Sequence, residues 1–156
     1  MLGALRKLFD ETEGAAAHAV PERERRSLQI AVASLLHEAT RVDLKDAPEE
    51  RALAERALTS LFELSPADAT ALLEEGRERA KRLTSYYAPV SIIKRAFDLP
   101  KRVLLIEHLW RIAYADGRLN QYEDHFVRKV AHLLYVPNTQ CILARNRARP
   151  AQASKA

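Results

Sequence analysis

Leu109-Trp110-Arg111-Ile112-Ala113-Tyr114-Ala115-Asp116-Gly117-Arg118-Leu119-Asn120-Gln121-Tyr122-Glu123 joins an apolar helix end to an Asp-Gly turn and then to a second helix that opens with Glu. Upstream, Leu104, Leu105, His108, Leu109, Ile112 and Ala113 recur at helical spacing, so a helix from about Lys101 runs into the turn. This helix is more apolar than the others and is expected at the centre of the fold. Downstream, Phe126, Val127, Val130, Ala131 and Leu134 give the stripe of the next helix, which Val136-Pro137-Asn138 breaks. A last helix spans about 139–148.

The same punctuation recurs toward the N-terminus. Ser65-Pro66-Ala67-Asp68 is a cap, a first-turn proline and an acid, and the helix it starts is expected to reach Ser85. Tyr86-Tyr87-Ala88-Pro89 should stop that helix, with a short one from Val90 to Phe97 after it. Pro48-Glu49-Glu50 opens a helix with stripe Leu53, Ala54, Ala57, Leu58 and Leu61. Pro21 opens another with stripe Leu28, Val32, Leu35, Leu36 and Ala39. Residues 2–9 read as a short amphipathic helix with Leu2, Leu5, Leu8 and Phe9 on one stripe.

Composition agrees with the pattern. The chain has 156 residues, 47% hydrophobic and 29% charged, with only 4 glycines and 7 prolines, and it lacks β-branched or aromatic runs. The expectation is all-α: a single compact bundle of about seven to eight helices. Residues 1–20 form an N-terminal amphipathic helix and linker, 21–148 the helical domain, and 149–156 a basic tail expected to be disordered. Twenty-five basic residues against 21 acidic give +4, and Arg145, Arg147, Arg149 and Lys155 carry much of the excess. The lone Cys141 excludes an internal disulfide and reads as an inert thiol of a cytoplasmic protein. No apolar run approaches the length of a membrane span.

Shifting the chain on itself by 73 residues pairs Leu36 with Leu109, Asp43 with Asp116, Glu50 with Glu123, Leu53 with Phe126 and Leu61 with Leu134; one deletion then pairs Leu64 with Val136. Two helix–turn–helix units therefore form an internal pseudo-repeat, each with an Asp at the end of its first helix and a Glu in the first turn of its second. At Leu109–Leu119 with Tyr122-Glu123 and Val136, and at the weaker first copy Ala39–Asp43 with Pro48-Glu49-Glu50, the chain resembles the TerB-like family over about residues 25–148. These are helical tellurite-resistance B-type domains, found also at the start of some membrane-tethered J-domain co-chaperones. The resemblance implies an all-α bundle with pseudo-twofold character, and acidic loop residues suspected of binding divalent cations. Two positions depart from the family pattern: Leu44 stands where glycine is usual in the first unit, and Leu119 where the second often carries an acid.

The carboxylates admit two readings. Asp43, Asp46 and Glu50, or Asp116 and Glu123 with the Asn120 amide, supply the hard oxygen ligands that Ca²⁺ or Mg²⁺ takes. The same residues suit an Asx turn at a helix end and a Glu offsetting the dipole or closing a capping box at a helix start. His125 and His132 are two turns apart, too far for one metal, while His37 and His108 fall on apolar stripes as core or boundary residues. No nucleophile–base constellation, glycine-rich phosphate loop or zinc spacing is present. Arg23, Arg25, Arg26, Arg77, Arg79, Lys81 and Arg82 are interleaved with Glu, a solvated helix face that argues against nucleic-acid binding.

The expectation is thus a non-enzymatic binding or scaffold domain with protein partners, cation-responsive through these carboxylates, in bacterial stress (tellurite-resistance-like) or envelope-linked processes. The alternatives are a metal-dependent enzyme using the same carboxylates, or a peripheral module at the inner membrane that uses Leu2, Leu5 and Phe9 and the basic tail.

Overall fold

Short local signals set the helix starts. Ser65 Oγ accepts the Asp68 N–H at 3.2 Å and Asp98 Oδ1 accepts the Lys101 N–H at 3.1 Å, each followed by a proline in the first turn. The computed structural model of the chain describes residues 21–41 and 47–150. Seven helices appear among them: α1 (Glu22–Arg41), α2 (Pro48–Phe62), α3 (Pro66–Ala80), α4 (Tyr87–Ala96), α5 (Leu99–Ala113), α6 (Gln121–Leu133) and α7 (Asn138–Ala148). The described residues contain no strand, and none of their helices is long and apolar enough to cross a membrane. The amphipathic segment expected at residues 2–9 lies outside the described residues.

Two boundaries differ from expectation. α3 stops at Ala80 rather than near Ser85, because Arg82 and Leu83 bond back only three residues, to Arg79 and Ala80. Pro89 does not stop a helix. It sits in the first turn of α4, where no intrahelical acceptor waits for the N–H that proline lacks.

The bundle has two buried axes. Leu105–Trp110 are six consecutive buried residues in α5, and Ala31–Leu36 are six more in α1, so each helix is covered on all sides over that stretch. α5 was expected at the centre; α1 shares it, because its alanines and Ser34 let neighbours approach closely. At Gly76 of α3 the approach is so tight that a Cβ would lie 2.5 Å from the carbonyl carbon of Ala33.

The two units pack alike. In each, the first helix packs most extensively against the third, α1 on α3 and α5 on α7. The second helix of each ends on a non-glycine residue in the left-handed region, Glu63 (φ 54°) and Tyr135 (φ 56°), followed by an apolar residue, Leu64 or Val136. In the second unit the Val136 N–H reaches back to Ala131 O at 2.9 Å, closing the helix in a Schellman-type turn. Two further bonds fasten this unit: Trp110 Nε1 donates to Cys141 O at 3.1 Å, and Arg102 donates to Leu134 O at 2.6 Å.

Candidate functional site

The Asp-Gly corner is a self-contained turn. Gly117 has φ +85°, which L side chains rarely adopt, and its N–H donates to Tyr114 O at 2.8 Å. Asp116 is exposed, and its Oδ1 accepts the Arg118 N–H at 3.0 Å, an Asx turn. Asn120 and Glu123 then form a reciprocal cap. Asn120 Oδ1 accepts the Glu123 N–H at 2.8 Å while its Nδ2 donates to Glu123 Oε1 at 2.6 Å.

Glu123 is 3% exposed, and Glu50, its counterpart at the third position of α2, is 5% exposed. The pseudo-repeat thus buries one carboxylate at each second-helix start. Among the described residues, no three or more His, Cys, Asp or Glu side chains are grouped so that they could hold a metal ion. Asp43 and Asp46 lie outside the described residues, as do Leu2, Leu5 and Phe9. Of the six candidate ligands, the structure therefore brings Asn120 and Glu123 into contact with each other and gives Asp116 a separate, local bond.

Beside this corner the surface opens into a groove that sequence reading missed. One stretch, of about 640 Å³, is lined by Glu38 and Arg41 from the end of α1, Tyr86 before α4, and Tyr122, His125 and Lys129 of α6. Tyr86 packs edge-on against Phe126, with ring centroids 5.3 Å apart, and Lys129 sits over its outer face. Its hydroxyl donates to Glu38 Oε2 at 3.4 Å, and burial, then the Glu38 charge, pushes its pKa up. Tyr122 (66% exposed) and Tyr87 (72%) flank the groove as large unpartnered rings. The available signal was the Tyr86-Tyr87 pair at a helix junction, but only tertiary packing sets it beside α6.

A second polar cluster lies between α5 and α7. Glu107, 7% exposed, accepts from both Arg111 and Arg147. The adjacent His108 is buried, and desolvation, then the Arg111 charge, lowers its pKa to about 4. Arg111 approaches His108 Nδ1 at 3.4 Å, while His108 Nε2 is buried and makes no hydrogen bond. Burial pushes the Cys141 thiol up, so it is not an activated nucleophile.

No curated protein and no solved structure matches the chain. The profile of the family described as tellurite resistance protein TerB matches residues 29–146, from within α1 to within α7. That span takes in both helix–turn–helix units and the Asp-Gly corner, and the chain belongs to the TerB family.

Proposed function

We propose that this TerB-family chain is a non-enzymatic binding or scaffold domain that works through protein partners, in the cytoplasm and in stress or envelope-linked processes. The observation that carries the reading is the open groove beside the Asp-Gly corner, where Tyr86 forms part of the wall and Tyr87 and Tyr122 stand exposed at its flanks. Tyrosines contribute large contact areas at small entropic cost, and they concentrate where proteins meet proteins. Around them stand the Glu38–Arg41 and Glu78–Lys81 ion pairs, with Gln121, His125 and Lys129 of α6, a mixed polar rim that suits recognition of a partner surface.

A photo-crosslinking residue at Tyr122 or Tyr87 should give discrete protein adducts in cells, and one at Leu143 should not, since α7 lines no part of the groove. Equal labelling from Leu143 would refute the assignment of this face. Cation responsiveness is a separate component of the reading. If it holds, calcium or magnesium titrated to millimolar concentration should shift amide resonances clustered at Asp43–Glu50 and Asp116–Glu123; shifts spread evenly over exposed carboxylates would end it.

A further inference from the structure

The groove continues past Arg41 into a cationic stretch between α1, α2 and α3. Arg41, Arg51, Arg77 and Lys81 line a section of about 680 Å³ in which the acids are Glu55 and Glu74. Arg41 and Lys81 also line the adjoining section beside Tyr86 and Tyr87, so the charged and aromatic parts share walls. We infer that this groove docks an acidic peptide segment of a partner protein, with Asp or Glu side chains on Arg41, Arg51, Arg77 and Lys81 and an apolar side chain toward Tyr86. The inference deepens the protein-binding reading above and rests on it.

Three observations support this occupant. Three of the four groove cations are held by acids three residues earlier in the chain: Arg41 by Glu38 at 3.1 Å, Arg77 by Glu74 at 3.7 Å and Lys81 by Glu78 at 3.0 Å. The Arg77 and Lys81 pairs are exposed on both sides and therefore weak, so an incoming carboxylate, which can engage a guanidinium with two parallel bonds, replaces them readily. The groove hydroxyls are already committed to backbone, Thr40 donating to His37 O at 2.6 Å and Thr70 to Pro66 O at 3.0 Å, which leaves the cations as the groove's principal donors. No phenylalanine, tyrosine or tryptophan lines the cationic section, where His37 supplies a single small ring, so it lacks the successive stacking platforms that a nucleic-acid strand uses; the tyrosines follow only beyond Lys81.

The test uses the full chain and a twelve-residue peptide of alternating Glu and Leu, with a Gln-for-Glu analogue and a twelve-nucleotide oligothymidylate as competitors. Fluorescence anisotropy should show binding by the acidic peptide that weakens with added salt. Arg41→Gln, Arg51→Gln and Arg77→Gln should each weaken it about tenfold, while Arg95→Gln and Arg149→Gln should not. These arginines are exposed, and an unchanged circular dichroism spectrum and melting midpoint would show that the variants fold. The inference is overturned if the Gln analogue binds equally, if groove variants bind like the parent chain, or if the oligonucleotide binds more tightly at the same residues. Peptide failure with crosslinks from Tyr122 intact would remove the acidic partner and leave the protein-binding reading standing; loss of both would end both.

Discussion

Replacing Gly76 with alanine sets two effects of known sign against each other. In a helix interior alanine is favoured over glycine by about 1 kcal/mol, so local propensity predicts a more stable protein. The packing predicts the reverse. A Cβ at Gly76 would meet the carbonyl carbon, Cβ and carbonyl oxygen of Ala33 at 2.5, 2.6 and 2.7 Å. Two of these atoms are backbone, and Ala33 lies in the buried stretch of α1, so no side chain can swing aside; α1 and α3 must move apart at the most extensive helix contact of the bundle. Overpacking costs typically 1–3 kcal/mol, and a backbone contact belongs near the upper end, about 3 kcal/mol. The net expectation for Gly76→Ala is a loss of about 2 kcal/mol, or roughly 4–8 °C in melting midpoint for a chain of this length. Urea denaturation followed by circular dichroism measures it as a lower midpoint concentration with unchanged slope. Adding Ala33→Gly removes the Cβ contact but leaves the two backbone contacts, so the double variant should recover part of the loss, with a coupling above about 0.5 kcal/mol. Gly76→Ala at or above parental stability, or strict additivity of the pair, would refute the packing argument.

Gly117→Ala should cost about 1 kcal/mol by the same denaturation assay, from the positive φ alone, since a Cβ there meets nothing within 4 Å; Gly117→Asn should cost less. Asn120→Ala removes the reciprocal cap with Glu123 and should lower stability by about 1 kcal/mol, whereas Asn120→Ser should retain most of it. Conversely, Glu63→Gly should raise stability by a few tenths to about 1 kcal/mol, because glycine relieves the left-handed cap of α2; an unchanged melting midpoint would count against strain there. His108 makes stability depend on pH. Its folded pKa of about 4 lies below the unfolded value near 6.5, so the unfolded chain binds the proton first as pH falls. Stability from the neutral imidazole is therefore complete above about pH 6.5 and is lost toward pH 4, by up to about 3 kcal/mol. His108→Leu should flatten that part of the curve in parallel denaturations, and an unaltered slope would show that His108 does not carry it.

Periodicity and punctuation determined most of the architecture. The spacing of Leu28 to Ala39, Leu53 to Leu61 and Leu104 to Ala113, with Ser65-Pro66, Pro48 and Asp116-Gly117 between stripes, identifies helices, their inner faces and their corners, because caps and turns are bonds among residues at most a few positions apart. The reciprocal roles of Asn120 and Glu123 were legible for the same reason. Where periodicity ran out, so did the reading: α3 ends at Ala80 although the charged pattern continues, since helix ends depend on which carbonyls the next turn can reach. Tertiary structure alone decided that α1 lies buried beside α5, that Gly76 touches Ala33, and that Glu107 receives Arg147 from forty residues away. It also decided the groove, which gathers Arg41, Arg51, Lys81, Tyr86 and Tyr122 from segments that carry no local mark of one another. Helix packing angles follow from the shapes of whole faces, and a surface that several helices share has no spacing along the chain by which it could be read.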